Sequence, residues 1–152
     1  MAEGTSRLEC QRAPDASRLV AFFSPSGEDL RERIVAAAEV ELLARGFKLK
    51  RVDQFKIALR ELMENALEHG CRDRPEAVVR VECRIADREA TMVVIDDGPG
   101  FDFQTTVKKE ETVYLRPQNR GRGLLLVARI GRVVRFETNG GTRAEVVVAA
   151  EE

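Results

Sequence analysis

The sequence predicts an α+β fold, a two-layer arrangement with helices on one face of a mostly antiparallel sheet, and three observations carry that prediction. Two long segments repeat apolar residues at helical spacing, several shorter ones alternate or run apolar as strands do, and Gly, Pro and Asn punctuate the joins. The elements follow as strand, two helices, two strands, loop, helix, two strands. That order is not the strict alternation of a parallel sheet. At 152 residues the chain has room for one domain with a substantial core.

Residues 1–16 are polar and mixed, and read as a flexible N-terminal tail, with 17–152 as a single domain. SRLVAFFS, from Ser17, reads as a strand. A helix follows from Ser26, a capping residue, with acids in its first turn and Leu30, Ile34, Ala38 and Leu42 on one face, and Gly46 closes it. A second helix from Asp53 carries Phe55, Ala58, Leu59, Leu62 and Ala66 on one face and stops at Gly70. In AVVRVECRI, Val79, Val81, Cys83 and Ile85 alternate with charged residues, a half-buried strand, whereas ATMVVIDD is evenly apolar, as a central strand is. The ADRE turn joins them as an antiparallel hairpin. Residues 98–123 show no period and read as a long loop, of a length that is usually functional or disordered. LLLVARIG is a short helix, and the last two strands form a hairpin around Asn139, Gly140 and Gly141.

Composition excludes several functions. Twenty-five Lys and Arg against 26 Asp and Glu give a net charge of -1, without general attraction for nucleic acid or anionic membrane. No apolar run is long enough to span a bilayer, and the N-terminus lacks the apolar core of a signal peptide. Cys10, Cys71 and Cys83 share no CxxC spacing, which argues against a disulfide framework and a zinc site and for a reducing cytoplasm.

Three stretches concentrate chemistry. In ELMENALEHG, residues 61–70, side chains advance by about 100° each around the helix. Asn65 and His69 then flank the apolar face, Glu61 and Glu68 lie slightly further round the same side, and Glu64 and Arg60 point to water. For His69, a capping or packing role near the helix end weighs equally with ligand contact. In VVIDDGPGFD a branched strand ends in Asp96 and Asp97, and Gly98, Pro99 and Gly100 force a turn. An aspartate there can accept a hydrogen bond from a planar amine while the glycines let a flat ligand lie close. Most stretches like DDGPG are only turns, so its weight comes from the other two. In NRGRGLLLVARIG, Gly121 and Gly123 precede a helix whose unpaired N–H groups can meet phosphate, with Arg120 and Arg122 beside them. The spacing is neither a Rossmann GxGxxG nor a P-loop.

In this order the three stretches resemble the N box, the DxGxG box and the second glycine box of the GHKL family of ATP-binding domains. Within that family the chain is most similar to the bacterial anti-sigma-factor serine/threonine kinases, over roughly residues 17–149. The resemblance implies a Bergerat-type ATP-binding fold with ATP and Mg2+ as cofactors. It implies that Asn65 ligates Mg2+, whose preference for oxygen ligands suits an amide oxygen, and that Glu61 is the general base. Asp96 would bind the adenine amino group, with Gly98 and Gly100 shaping the pocket and His69 beside it. Gly121, Arg122, Gly123 and Leu124 would hold the phosphates, and residues 101–120 would form a lid from which Lys108, Lys109 or Arg116 reaches the γ-phosphate. Glu64 departs from the smaller residues expected before the asparagine.

The implied function is that of an ATP- and Mg-dependent serine/threonine protein kinase and anti-sigma factor. It would phosphorylate a STAS-domain anti-sigma antagonist, bind a sigma factor and form a homodimer through its N-terminal strand and helix. A nucleotide-gated binding module without kinase activity, or a histidine-kinase-like catalytic domain acting in trans, is the alternative. The only histidine lies inside the N-box stretch, and no helical hairpin with a phosphoacceptor histidine precedes it.

Overall fold

The structure is a computed structural model that describes residues 7–25, 28–71, 74–98, 123–137 and 141–151. Strands β1 (Arg7–Arg12), β2 (Ala16–Phe23), β3 (Val79–Ala86), β4 (Glu89–Asp96), β5 (Arg132–Glu137) and β6 (Thr142–Ala149) form one sheet in the order β1-β2-β3-β4-β6-β5. All five pairings are antiparallel. Helices α1 (Glu28–Ala44), α2 (Leu49–Asn65) and α3 (Gly123–Ile130) join the sheet in a single apolar cluster. The predicted two-layer α+β arrangement is what the chain adopts. Among the described residues no helix is long and apolar enough to cross a membrane.

Period-two alternation decides which side of the sheet the helices cover. Leu19, Ala21 and Phe23 of β2 and Val79, Val81, Cys83 and Ile85 of β3 are buried on one face, while Arg18, Arg80 and Arg84 are exposed on the other. From α1, the expected Leu30, Ile34, Ala38 and Leu42 enter this core, and from α2 Phe55, Ala58, Leu59 and Leu62 do. Each large apolar side chain buried this way contributes about 1.5–3 kcal/mol. β4 and β6 are central and apolar, as ATMVVIDD implied. β5 forms the far edge, with an irregular register between Val133 and Arg135.

The N-terminal tail is corrected in part. Arg7–Arg12 form an edge strand paired with β2 from Arg7↔Phe22 to Arg12↔Ser17. Its pattern has only Leu8 and Cys10 as apolar residues, so alternation gave little signal. What holds it is distant in sequence. Arg12 turns toward the helices, where Nη2 sits 2.7 Å from Glu41 Oε2 of α1. Glu41 is buried and also accepts from Ser17 Oγ at 2.7 Å. Arg45 ties in the β1–β2 turn, donating to Ala13 O at 2.6 Å and Pro14 O at 3.0 Å.

Helix boundaries show where local signals suffice. α1 ends in a Schellman closure: Gly46 takes a positive φ of 85°, its N–H meets Leu43 O at 3.1 Å, and Phe47 N–H meets Leu42 O at 3.1 Å. α2 starts four residues before the expected Asp53. Its first turn has no side-chain cap and no acid to signal it. Tertiary contacts fix it instead: buried Arg51 donates from Nε to Ala149 O of β6 at 2.9 Å and from Nη2 to Ile130 O at the end of α3 at 3.4 Å. The helix expected to run unbroken to Gly70 changes after Asn65 into a π turn, Ala66–Gly70. Ser26, the candidate α1 cap, lies outside the described residues.

Candidate functional site

The site is built where the end of α2 meets the end of β4. Asp96 is the last residue of β4 and is buried at 5% exposure. Its Oδ1 accepts the Gly98 N–H at 2.9 Å, and the Thr142 backbone also bonds its carboxylate. Burial nevertheless holds its pKa above the usual aspartate value, outweighing those two hydrogen bonds. The result is a fixed, acceptor-only carboxylate at the edge of the core.

Three glycines fit this aspartate so closely that none has room for a side chain. A methyl on Gly70 would overlap the Asp96 carboxyl group, and one on Gly98 would overlap the Gly70 backbone. Gly141, at a φ of 135°, lies against the Asp96 carbonyl. Gly70 and Gly141 therefore belong to the site through packing. Sequence reasoning gave Gly70 only the role of a helix stop and Gly141 only that of a hairpin turn. The signal available was that each glycine sits beside a motif residue in the fold, and that adjacency is not local in sequence. Arg74 closes the same junction, with Nη1 3.2 Å from Gly70 O and 3.3 Å from Asp97 O, and an ion pair to Asp97 Oδ1 at 3.1 Å.

One π turn before Gly70 stands Asn65, half-buried, with half-buried Glu61 one α turn earlier. Among the described residues no hydrogen bond or ion pair occupies either side chain. Burial, reinforced by the negative charges of Glu64 and Glu68, raises the Glu61 pKa above the ordinary glutamate value. Glu64 is exposed and bound outward to Arg31 of α1 at 2.8 Å, as its angle on the helix predicted. So Arg31 keeps the neighbouring carboxylate turned away, while Glu61 has no cationic partner among the described residues. Glu68 and His69 are both exposed. Both lie in the π turn, where each side chain advances less around the axis than in an α-helix.

Of the third stretch, Gly123 opens α3 and Leu124 is buried at 3% exposure. The Leu124 side chain belongs to the core, which leaves only its backbone N–H for a ligand at this helix start. Gly100, Gly121, Arg122 and the lid 101–120 with Lys108, Lys109 and Arg116 lie outside the described residues. Among the described residues no cluster of three His, Cys, Asp or Glu side chains converges on one point. A metal at Asn65 would therefore take most of its shell from water and from phosphate, as Mg2+ does. The donor set fits Mg2+ carried by a nucleotide, and does not fit a closed protein cage.

Comparison with known proteins decides the family. The family model of the histidine kinase-like ATPase domain matches residues 23–150. The chain belongs to that family. This histidine kinase-like ATPase domain is similar to the anti-sigma F factor of Clostridium beijerinckii, 26% identical over 137 residues, covering 88% of this chain and 93% of that protein. The anti-sigma F factor of Clostridium novyi is 30% identical over 81 residues, 53% of this chain and 55% of its own length. The sensor protein IrlS of Burkholderia pseudomallei is 28% identical over 86% of this chain, which spans 26% of that longer protein. Family membership places ATP as the ligand of the fold, and the Clostridium beijerinckii anti-sigma F factor is matched over nearly its whole length.

Proposed function

We propose that the protein is an ATP- and Mg2+-dependent serine/threonine protein kinase of the anti-sigma type. It phosphorylates a STAS-domain antagonist and holds a sigma factor when that antagonist is absent. The observation that carries this reading is the Glu61–Asn65 pair: a half-buried carboxylate with no cationic partner among the described residues, one turn from a free amide, on the helix whose closing π turn packs Gly70 against the buried Asp96.

In this reading Asp96 accepts a hydrogen bond from the adenine amino group, and the Gly70, Gly98 and Gly141 packing keeps its carboxylate fixed. Asn65 offers its amide oxygen to Mg2+, which supplies charge neutralisation on the phosphates when bound. Gly123 and the backbone N–H groups opening α3 face the phosphate oxygens, with Gly100, Gly121 and Arg122 as the remaining contacts. Glu61 takes the proton from the acceptor hydroxyl as its oxygen bonds to the γ-phosphorus, and ADP departs with the bridging oxygen. Phosphoryl transfer depends mainly on positioning and charge stabilisation, so a single base is enough. Burial raises the Glu61 pKa, which makes its carboxylate a stronger base than an exposed glutamate. His69, exposed, is assigned the outer rim of the pocket, and Lys108, Lys109 or Arg116 the γ-phosphate.

The anti-sigma F factor names of the relatives support the partners. An open sheet edge at β1, with Val40 and Leu43 exposed on α1, supports a homodimer.

Labelled ATP mixed with the STAS-domain protein encoded beside this one tests the reading. The partner should take up label, and Glu61→Gln should slow transfer by about 10²–10⁴-fold while ATP affinity holds. Nucleotide binding without transfer would instead identify a nucleotide-gated binding module. Label on a histidine of another chain would identify a histidine-kinase-like domain acting in trans.

A further inference from the structure

The helices cover one face of the sheet, and the other face carries a charge pattern that the fold does not require. Arg7 on β1, Arg18 on β2, Arg80 and Arg84 on β3, Arg143 on β6 and Arg132 on β5 all lie on it by register and alternation. The glutamates described on the same face are Glu9, Glu82, Glu89 and Glu145, four against six arginines. A chain of net charge -1 thus concentrates positive charge on one side. The described lysines, Lys48, Lys50 and Lys56, are all elsewhere, just before or within α2.

Two details show that this is more than a solvated surface. Arg18 and Arg84 are direct cross-strand partners, a like-charge pairing that destabilises a sheet. Their counter-charges are distant or already engaged. Glu82 lies 3.9 Å from Arg18 but 3.0 Å from Arg80, and the Asp15 that reaches Arg84 at 3.5 Å is itself 77% exposed. Second, the Arg143 Nε is buried with no hydrogen-bond partner among the described residues, although its Nη2 lies 3.8 Å from Glu145. Between the arginines runs an apolar strip of Val20, Phe22, Val93, Ile95 and Val147.

We propose that this helix-free face docks an acidic polypeptide segment of a partner protein, one that presents carboxylates to the Arg18–Arg80–Arg84 cluster and apolar side chains to the strip. Guanidinium forks match carboxylates in paired hydrogen bonds, and an arriving carboxylate relieves the Arg18–Arg84 repulsion. A nucleic acid fits less well. Phe22, the aromatic residue of this face, already lies between the guanidinium groups of Arg7 and Arg80, at 5.1 and 5.2 Å from its ring centre, and offers no open ring for a base. Interleaved glutamates also oppose a phosphate backbone. The proposal stands apart from the nucleotide reading, because Asp96 and the end of α2 are on the helix side.

The test uses the full chain and three fluorescent probes: a peptide of glutamates interrupted by leucines, the same peptide with glutamine for glutamate, and a single-stranded RNA of similar length. Variants are Arg84→Thr and the pair Arg18→Ser with Arg84→Thr. The wild type should bind the glutamate peptide at least about tenfold tighter than the glutamine peptide, with affinity falling as salt rises. Both variants should lose most of that preference, yet Arg84→Thr should melt no lower than wild type, because it removes the like-charge pair. Equal binding of the two peptides, or tighter binding of the RNA, would overturn the proposal. So would a fall in melting temperature for Arg84→Thr with unchanged peptide binding, which would mark the arginines as structural.

Discussion

Glu61 shows how one side chain ties stability to activity. Its pKa is raised, so the folded protein holds this proton more tightly than the unfolded chain does. The stability present while Glu61 is protonated is lost as pH rises through that raised value. Glu61→Gln should therefore raise the melting temperature at neutral pH and leave it unchanged near about pH 3, below the ordinary carboxylate range. The same titration should place the acid limb of the transfer rate above the ordinary glutamate value, and a limb at or below that value would remove Glu61 as the base. Gly70 makes the opposite kind of claim. Gly70→Ala puts a methyl into the Asp96 carboxyl, and displacing that group should weaken ATP by at least about tenfold, ~1.4 kcal/mol, in a calorimetric titration. Full ATP affinity in a folded Gly70→Ala protein would show that Asp96 is not held by this packing.

Among the elements, β1 depends on one buried carboxylate. The Arg12 guanidinium, followed by the Ser17 hydroxyl, holds Glu41 below the usual glutamate range against the opposing effect of burial. A lowered pKa contributes stability that is present above the ordinary carboxylate value and lost as pH falls through the lowered one. Glu41→Gln should free β1 first, and faster hydrogen exchange at residues 7–12 with α2 still protected would register it. The element scale also shows what local pattern can carry. α1 was legible at both the apolar face and the Gly46 closure, because four-residue spacing and a positive-φ glycine are properties of neighbouring residues. β1, the first turn of α2 and the π turn after Asn65 were not. They rest on Glu41, Arg51 and the Asp96–Gly70 junction, partners far along the chain. The outward turn of Glu64 was predicted from helix angle alone, since it precedes the π turn, whereas Glu68 and His69 lie within that turn, where the α-helical angle no longer applies.

For the whole molecule, the fold separates two surfaces by the thickness of the sheet. The helix side gathers Glu61, Asn65, Asp96 and the start of α3, and the opposite side gathers the arginines. The sequence showed the three motif stretches in order but not their convergence, because the antiparallel order β4-β6 and the packing of α2 bring Gly141 and Gly70 to Asp96 from far along the chain. Arg51 links the nucleotide side to the rest: it joins the start of α2, the end of α3 and the end of β6. Arg51→Met should remove those carbonyl partners and lower thermal stability by about 1–3 kcal/mol, readable from denaturant unfolding. If β1 is the dimer edge, sedimentation should show a dimer that Val40→Glu with Leu43→Glu converts to a monomer. The central claim is nucleotide binding by the Asn65–Asp96 site, and isothermal titration of the protein with ATP in the presence of Mg2+ tests it most directly. The wild type should bind one ATP per chain and Asn65→Ala at least about tenfold more weakly, ~1.4 kcal/mol. No heat of binding by a folded wild-type protein, or equal binding by Asn65→Ala, would contradict it.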